Sequence, residues 1–145
     1  GFYNLGIVLE QRDRMQEAEQ SYRRALELNA GLARAHNNLG GLLAASGRLD
    51  EAEQHLRESI RLDPALPDAY VSLAALQLER GRPSEAAASA RQALAIDARH
   101  VDAHVNLGVA LAQLGDFTQA RREFDEALRI DPRHRNARRN RDALR

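Results

Sequence analysis

Asparagine side chains recur at one fixed spacing along this chain and could bind a peptide backbone. Asn4 and Asn38 are 34 residues apart, Asn106 follows two such intervals later, and Asn140 falls in the same register, which only Ser72 interrupts. An amide group both donates and accepts hydrogen bonds, so a row of them can pair with an extended main chain without selecting its side chains. The alternative is that asparagine merely suits an exposed position that was copied by duplication.

The other reactive side chains do not form a catalytic or metal-binding pattern. His100 and His104 are one helical turn apart with Asp102 between them. We interpret these two as turn and packing residues, and His36 and His55 as packing and surface residues. The serines lack a histidine–carboxylate arrangement, so we expect no catalytic residues, no metal and no cofactor. The basic run at 133–141 has no interleaved aromatic residue for base stacking, which favours a solvated helix over a nucleic-acid site.

Composition excludes several classes of partner. The 21 basic and 21 acidic residues of the 145-residue chain cancel, which argues against binding to nucleic acid or to an anionic membrane. No apolar run reaches the length of a membrane span, and the chain has no cysteine. We expect a soluble protein and leave its compartment, cytoplasmic or periplasmic, open. The chain starts at Gly1 inside an expected helix, so we interpret it as part of a longer protein.

The asparagines belong to a longer pattern with the same period of 34 residues, seen at Leu5, Leu39, Leu73 and Leu107. A period of this size indicates an array of one supersecondary unit. We place repeats at about 1–32, 33–66, 67–100 and 101–134, with a capping helix at 135–145. Apolar residues recur at helical spacing within each repeat, and predict helices near 1–12, 15–28, 33–46, 49–62, 67–80, 83–96, 101–114, 117–130 and 135–144.

Small residues sit at matching places on the two helices of each repeat and would let the helices approach closely. Gly47, Gly81 and Gly115 suit the left-handed position just past a helix end, and Asp13 tolerates that conformation. The small residues in the first helices are Gly6, Gly40, Ala74 and Gly108, and those in the second helices are Ala18, Ala52, Ala86 and Ala120.

This pattern resembles the tetratricopeptide repeat (TPR). The fourth repeat matches the family motif best, at His104, Leu107, Gly108, Leu111, Gly115, Phe117, Ala120, Phe124, Ala127 and Pro132. The resemblance implies an all-α fold, a TPR alpha-alpha superhelix (solenoid) of four helix-turn-helix repeats plus a C-terminal capping helix, in one array over 1–145. The third repeat departs most, at Ala74, Gln77, Ala90 and Ala98, and we predict that it packs least well.

In this family the first helices line a concave groove that holds a peptide or an extended protein segment. The asparagine row is similar to the one lining the TPR superhelix of O-linked N-acetylglucosamine transferases. Carried over by position, the peptide-binding residues would be Asn4, Arg34, Asn37, Asn38, Asp68, Val71, Ser72, Asp102, Val105 and Asn106. The mixed charges, with Glu10 and Glu79 also on these faces, favour a mildly basic or neutral segment.

Another TPR subclass binds chaperone C-termini through a carboxylate clamp of basic residues and asparagines. The equivalent places here hold Tyr3, Ile7, Asn38, Asp68 and Ser72. Only the asparagine matches, and shifting by one repeat fits no better. We predict no binding of this kind.

The expected function is a non-catalytic scaffold for protein–protein interaction. One alternative is the substrate-recognition arm of a larger enzyme, such as a glycosyltransferase, whose catalytic domain lies elsewhere. The other is self-assembly, in which Phe2, Leu5 and Leu9 of the first helix pack against another copy.

Overall fold

The backbone consists of antiparallel helical hairpins. The computed structural model describes residues 1–144, and over that range it contains helices and no strand. The prediction of an all-helical chain is confirmed. The helices are α1 (Phe2–Gln11), α2 (Met15–Leu28), α3 (Ala33–Ala45), α4 (Leu49–Leu62), α5 (Pro67–Glu79), α6 (Pro83–Ile96), α7 (Val101–Gln113), α8 (Phe117–Ile130) and α9 (Arg135–Asp142).

The chain divides into two compact units, Gly1–Ser72 and Leu73–Arg145. In the first unit, α1 packs on α2, α2 on α3, and α3 on α4. In the second, α6 packs on α7, α7 on α8, and α9 on both α7 and α8. The division falls inside α5.

Residues with positive φ close the first helix of each hairpin. Asp13 has a φ of 58°, and Gly47, Gly81 and Gly115 have values of 82°, 71° and 85°. This is the left-handed region, which glycine adopts without steric cost and which aspartate tolerates better than most residues. The predicted turn positions are confirmed.

The two helices of a hairpin approach most closely where a glycine faces a large side chain. A Cβ atom built on Gly6 would lie 2.5 Å from Cε1 of Tyr22, and one on Gly108 would lie 2.5 Å from Cε1 of Phe124. The same construction on Gly40 meets Cγ of Leu56 at 2.7 Å. These separations are too short for any real contact, so each glycine provides the space that the partner side chain fills. The predicted close approach of the two helices is confirmed at these three glycines, which face large side chains of the second helix.

In the third repeat the space between the two helices is filled differently. It carries Ala74 where the others have glycine, and Ala90 where Tyr22 and Phe124 stand; both alanines are fully buried in one apolar cluster. A methyl group on α5 is therefore matched by the loss of a large side chain on α6. Gln77, where the family motif has a large apolar residue, is also buried, and its Oε1 accepts from the Ser89 hydroxyl at 2.7 Å.

The final helix covers the end of the second unit. Ala137 is fully buried in the core formed with α7 and α8. Arg121 donates to the carbonyl of Leu144 at 2.7 Å, and Arg141 pairs with Asp125 at 3.1 Å. The predicted capping helix is thus present, and it is anchored by one buried methyl group and by arginine contacts at its rim.

Candidate functional site

A hydrogen-bonded cluster joins the first three helices of the first unit. Tyr22 of α2 is fully buried, and its hydroxyl donates to Oε2 of Glu10 on α1 at 2.9 Å. Asn38 of α3 directs its Nδ2 to the same hydroxyl oxygen at 3.4 Å. The Tyr3 ring lies beside this group, with its centroid 6.1 Å from that of Tyr22. We call Glu10, Tyr22 and Asn38 the polar cluster.

Burial governs the electrostatics of the polar cluster. Desolvation raises the pKa of the Glu10 carboxyl, and the hydrogen bond from Tyr22 opposes that rise only in part. Desolvation is also the main cause of the raised pKa of Tyr22, which stays a neutral donor. Within residues 1–144, Glu10 forms no ion pair, so this half-buried carboxylate has no compensating cation.

The equivalent place in the second unit is an apolar pocket between α7 and α9. Its volume is about 260 Å³. Three of its residues, Ala112, Phe124 and Asn140, occupy the positions of Glu10, Tyr22 and Asn38 three repeats further on. Both units therefore present a surface edged by an asparagine, polar in the first and apolar in the second. The α7–α9 pocket is lined by Val109, Ala112, Gln113, Phe124, Asn140, Ala143 and Leu144.

The members of the asparagine row differ in exposure. Asn4 is exposed, whereas Asn38, Asn106 and Asn140 are half-buried. Asn38 lies in the polar cluster and Asn140 edges the α7–α9 pocket. Ser72, which interrupts the row, is also half-buried. Asn38 is held by its contact with Tyr22 and is still partly accessible, and Asn106 and Asn140 are partly accessible as well.

Two of the predicted contact residues are almost inaccessible. Asn37 exposes 9% of its surface and Val105 exposes 7%. The Nδ2 of Asn37 lies 3.4 Å from Oδ1 of Asn38, and its own Oδ1 has no hydrogen-bond partner within residues 1–144. Little of either side chain is available to a ligand, while Val71 is half-buried. The 34-residue period places Asn37 and Val105 on the first helices of their repeats, but it does not determine how far each side chain is turned toward the neighbouring helix.

The charged residues of the predicted site remain at the surface. Arg34, Asp68 and Asp102 are all exposed. Asp102 accepts from Nε2 of His134 at 3.1 Å, which ties α7 to the start of α9. The Asp102 carboxylate therefore already accepts a hydrogen bond from within the second unit.

His104 is a buried packing residue, as predicted, whereas His100 and His134 cap helices, which was not predicted. Nδ1 of His100 and Nδ1 of His134 accept from backbone N–H groups at the starts of α7 and α9. His104 lies between Glu123 and the carbonyl of Ala98. Within the described part of the chain, no group of three or more histidine, cysteine or acidic residues is arranged to hold a metal ion.

The first repeat exposes an apolar face on α1 and α2. Leu5 is 46% exposed, whereas the equivalent residues Leu39, Leu73 and Leu107 are at most 4% exposed. A cavity of about 530 Å³ lies on this face. It is lined by Phe2, Leu5, Leu9, Arg14, Glu17, Gln20, Ser21 and Arg24.

Between residues 1 and 144, no helix has the length and apolar character that crossing a membrane requires.

Comparison with family models returns one family over nearly the whole chain. One tetratricopeptide-repeat model matches residues 2–65 and again 32–99, and a second matches residues 77–140. No curated protein matches the sequence.

Solved structures with the same fold come from several proteins. MamA superposes with a TM-score of 0.79 at 19% identity, covering 96% of this chain and 81% of that chain. PilF of Pseudomonas aeruginosa gives a TM-score of 0.89 at 21% identity, covering 99% of this chain and 65% of that chain. The first TPR of Spaghetti (RPAP3), bound to the HSP90 peptide SRMEEVD, gives 0.74 at 19% identity, with coverages of 77% and 89%. At these identities the likeness concerns the fold alone.

Proposed function

This chain belongs to the tetratricopeptide-repeat family, and on that premise we propose that it is a non-catalytic interaction module that binds an extended protein segment against the first helices of its repeats. Repeat arrays of this kind present binding surfaces rather than a single enclosed active site.

The observation that carries the proposal is the matched placement of Asn38 and Asn140. Each is a half-buried amide beside the first helices of its unit, one in the polar cluster and one at the α7–α9 pocket. Partly accessible amides keep donor and acceptor capacity for a ligand backbone. Asn4, Asn106 and Ser72 extend the same register on the other first helices.

The ligand we propose differs from the HSP90 peptide bound to the RPAP3 structure, which ends in Glu-Glu-Val-Asp. A carboxylate-rich segment needs cations, but the corresponding positions here hold Tyr3, Ile7, Asp68 and Ser72. Asp68 is exposed and would repel such a segment. A neutral or basic segment is compatible with these side chains.

The test compares the native chain with an Asn38→Ala/Asn140→Ala variant. Interacting proteins are captured with the native chain, the bound segment is mapped to a synthetic peptide, and its affinity is measured by calorimetry. We expect the double variant to bind about 5- to 150-fold more weakly, because each of the two lost hydrogen bonds costs about 0.5–1.5 kcal/mol.

The control for that test is Asn136→Ala, which removes an exposed amide on α9 outside the row. It should leave the peptide affinity unchanged. Equal affinity of the double variant and the native chain would refute the proposed role of the row.

Self-association through the apolar face of the first repeat is a second candidate. The exposure of Leu5, where the equivalent leucines are buried, favours it. Covering this face would remove apolar surface from water at about 25 cal/mol per Å². Sedimentation velocity over a range of concentrations should show a dimer that Leu5→Gln abolishes, and a monomer at every concentration would rule the candidate out.

A further inference from the structure

Glu10 differs from most glutamates of this chain in lacking a cation. In the first unit, Glu19 pairs with Arg23 and Arg48. The other pairs with distances up to 3.0 Å include Glu17–Arg14, Glu27–Arg24, Glu53–Arg57 and Glu126–Arg129. Glu10 instead accepts from the neutral Tyr22 hydroxyl.

The position of Glu10 within the repeat is apolar everywhere else. The equivalent residues are Ala44, Leu78 and Ala112. Ala112 lines the α7–α9 pocket, which identifies this position as facing a ligand-accessible surface between first helices. Helix packing in the first unit does not demand a carboxylate here, because the fold accommodates alanine in the same place.

The carboxylate is held in one orientation. Tyr22 is fully buried and fixed against Gly6, and its hydroxyl occupies one lone pair of Oε2. No hydrogen bond to Oε1 is formed within residues 1–144. A half-buried carboxylate has already lost part of its hydration, so an incoming cation gains more from it than from an exposed one.

Tyr3 adds a preference for a planar cation. It lies two turns before Glu10 on α1, hence on the same face of the helix, and its half-buried ring stands beside that of Tyr22. A guanidinium group can stack on an aromatic ring while donating to a carboxylate, whereas an ammonium group offers a point charge.

We propose that the Glu10 carboxylate, oriented by Tyr22 and flanked by Tyr3 and Asn38, binds an arginine side chain of the protein ligand. This assignment rests on the proposed function and names the side chain that the first unit selects. Asn38 would hold the ligand backbone, and Glu10 would supply the side-chain specificity that a row of amides lacks. In the second unit, the same place would accept an apolar side chain beside Ala112.

The first experiment tests the site with a small probe. N-acetyl-L-arginine methylamide is titrated into the full chain and followed by NMR, with the citrulline and lysine analogues as matched probes. We expect saturable shifts at Glu10, Tyr22 and Asn38 with the arginine probe, weaker ones with lysine and none with citrulline. The pKa of Glu10 should fall when the arginine probe binds. Shifts of equal size with arginine and citrulline would overturn the proposal.

The matched variant is Glu10→Gln, whose side-chain oxygen still accepts from Tyr22 and so preserves the packing. Its affinity for the arginine probe should fall by about tenfold or more, because a hydrogen bond to a charged group is lost. Adding Ala112→Glu to the Glu10→Gln variant places a carboxylate at the equivalent position of the second unit and controls for general charge: it should not restore the shifts at Tyr22 and Asn38. Unchanged affinity in Glu10→Gln would refute the assignment.

Peptides separate this proposal from the one on which it rests. A captured peptide is compared with versions carrying citrulline in place of each arginine. If peptides bind but show no Glu10-dependent preference for arginine, the arginine site is wrong and the interaction function stands. If the arginine probe binds at Glu10 while no extended peptide binds the chain, the side-chain site stands and the peptide function is wrong.

Discussion

Nδ1 of His104 lies 2.7 Å from Oε2 of Glu123, and its Nε2 lies 2.8 Å from the carbonyl oxygen of Ala98. Both ring nitrogens thus face acceptors, which only the imidazolium form can satisfy by donating twice. In the second repeat the equivalent residues are His36 and His55, whose Nδ1 atoms are 3.0 Å apart. Equivalent positions therefore favour protonation of the histidine in the fourth repeat and disfavour it in the second repeat.

The His104 contact should make the fold more stable in mild acid. The hydrogen bond to Glu123 raises the pKa of His104, against the opposing effect of desolvation. Because the folded-state pKa exceeds the unfolded value of about 6.5, the contribution is complete below that pH and is lost as pH rises through the folded-state value. Glu123→Gln should lower the pKa of His104, measured by NMR, and cost about 1–2 kcal/mol at pH 5. An unchanged pKa in this variant would contradict the assignment.

The His36–His55 contact should act with the opposite sign. His36 directs Nε2 to the carbonyl of Ala30 at 3.1 Å, so in the neutral pair His55 donates from Nδ1 to Nδ1 of His36. Burial lowers the pKa of His55, as do His36 and Arg23 nearby, while Glu51 opposes them. The folded chain therefore binds fewer protons here than the unfolded chain, and stability falls as pH drops below about 6.5.

A His55→Glu variant tests that sign by copying the pairing of the fourth repeat. The free energy of unfolding is measured with urea at pH 8 and at pH 5 for both proteins. Its change from pH 8 to pH 5 should be more favourable to the folded state in the variant than in the native chain. A variant with the same pH dependence as the native chain would show that the histidine pair does not contribute.

Replacing Gly108 should force Phe124 out of its place. A Cβ atom at residue 108 would lie 2.5 Å from the ring, so Gly108→Ala should cost about 1–3 kcal/mol through overpacking. The effect should be non-additive with Phe124→Ala, because the third repeat combines Ala74 with Ala90 at the same two positions. Denaturant unfolding of both single variants and the double variant measures the coupling, and strict additivity would disprove it.

The third repeat should exchange its amide hydrogens fastest. Ala90 buries less apolar area than Tyr22 or Phe124 does in its own repeat, and local stability follows the apolar area buried. Hydrogen exchange followed by mass spectrometry should report the lowest protection in α5 and α6. Lower protection in another repeat would contradict this prediction, and the buried bond from Ser89 to Gln77 is the contact that would explain such a result.

Periodicity predicted the helices well because each is bounded by a local signal. The ends of α4, α6 and α8 agree with the predicted ranges, and α9 ends two residues earlier than expected, at Asp142. Asp13 and the three glycines of the turns adopt positive φ, as their residue types suggested. These features depend on a few neighbouring residues, so the sequence alone is sufficient to locate them.

The site was predicted less well because it depends on how helices rotate against each other. Asn37 and Asn38 are adjacent in sequence, yet one is buried and the other borders the polar cluster. The hydrogen bond from Tyr22 to Glu10 was not predicted. Two signals could have revealed it: Glu10 is the only acidic residue at its repeat position, and the facing helix carries a tyrosine where the other repeats have leucine, alanine and phenylalanine.

The exchange of bulk between Ala74 and Ala90 on one side, and Gly108 and Phe124 on the other, limits how this chain can be recombined. A chimaera that joins α5, with Ala74, to α8, with Phe124, would bring a methyl group into steric clash with the aromatic ring. The reciprocal chimaera, with Gly108 facing Ala90, would contain a cavity. The side-chain sizes on the two helices of a hairpin are therefore matched to each other. Designers who lengthen or shorten the array should cut between hairpins and never within one.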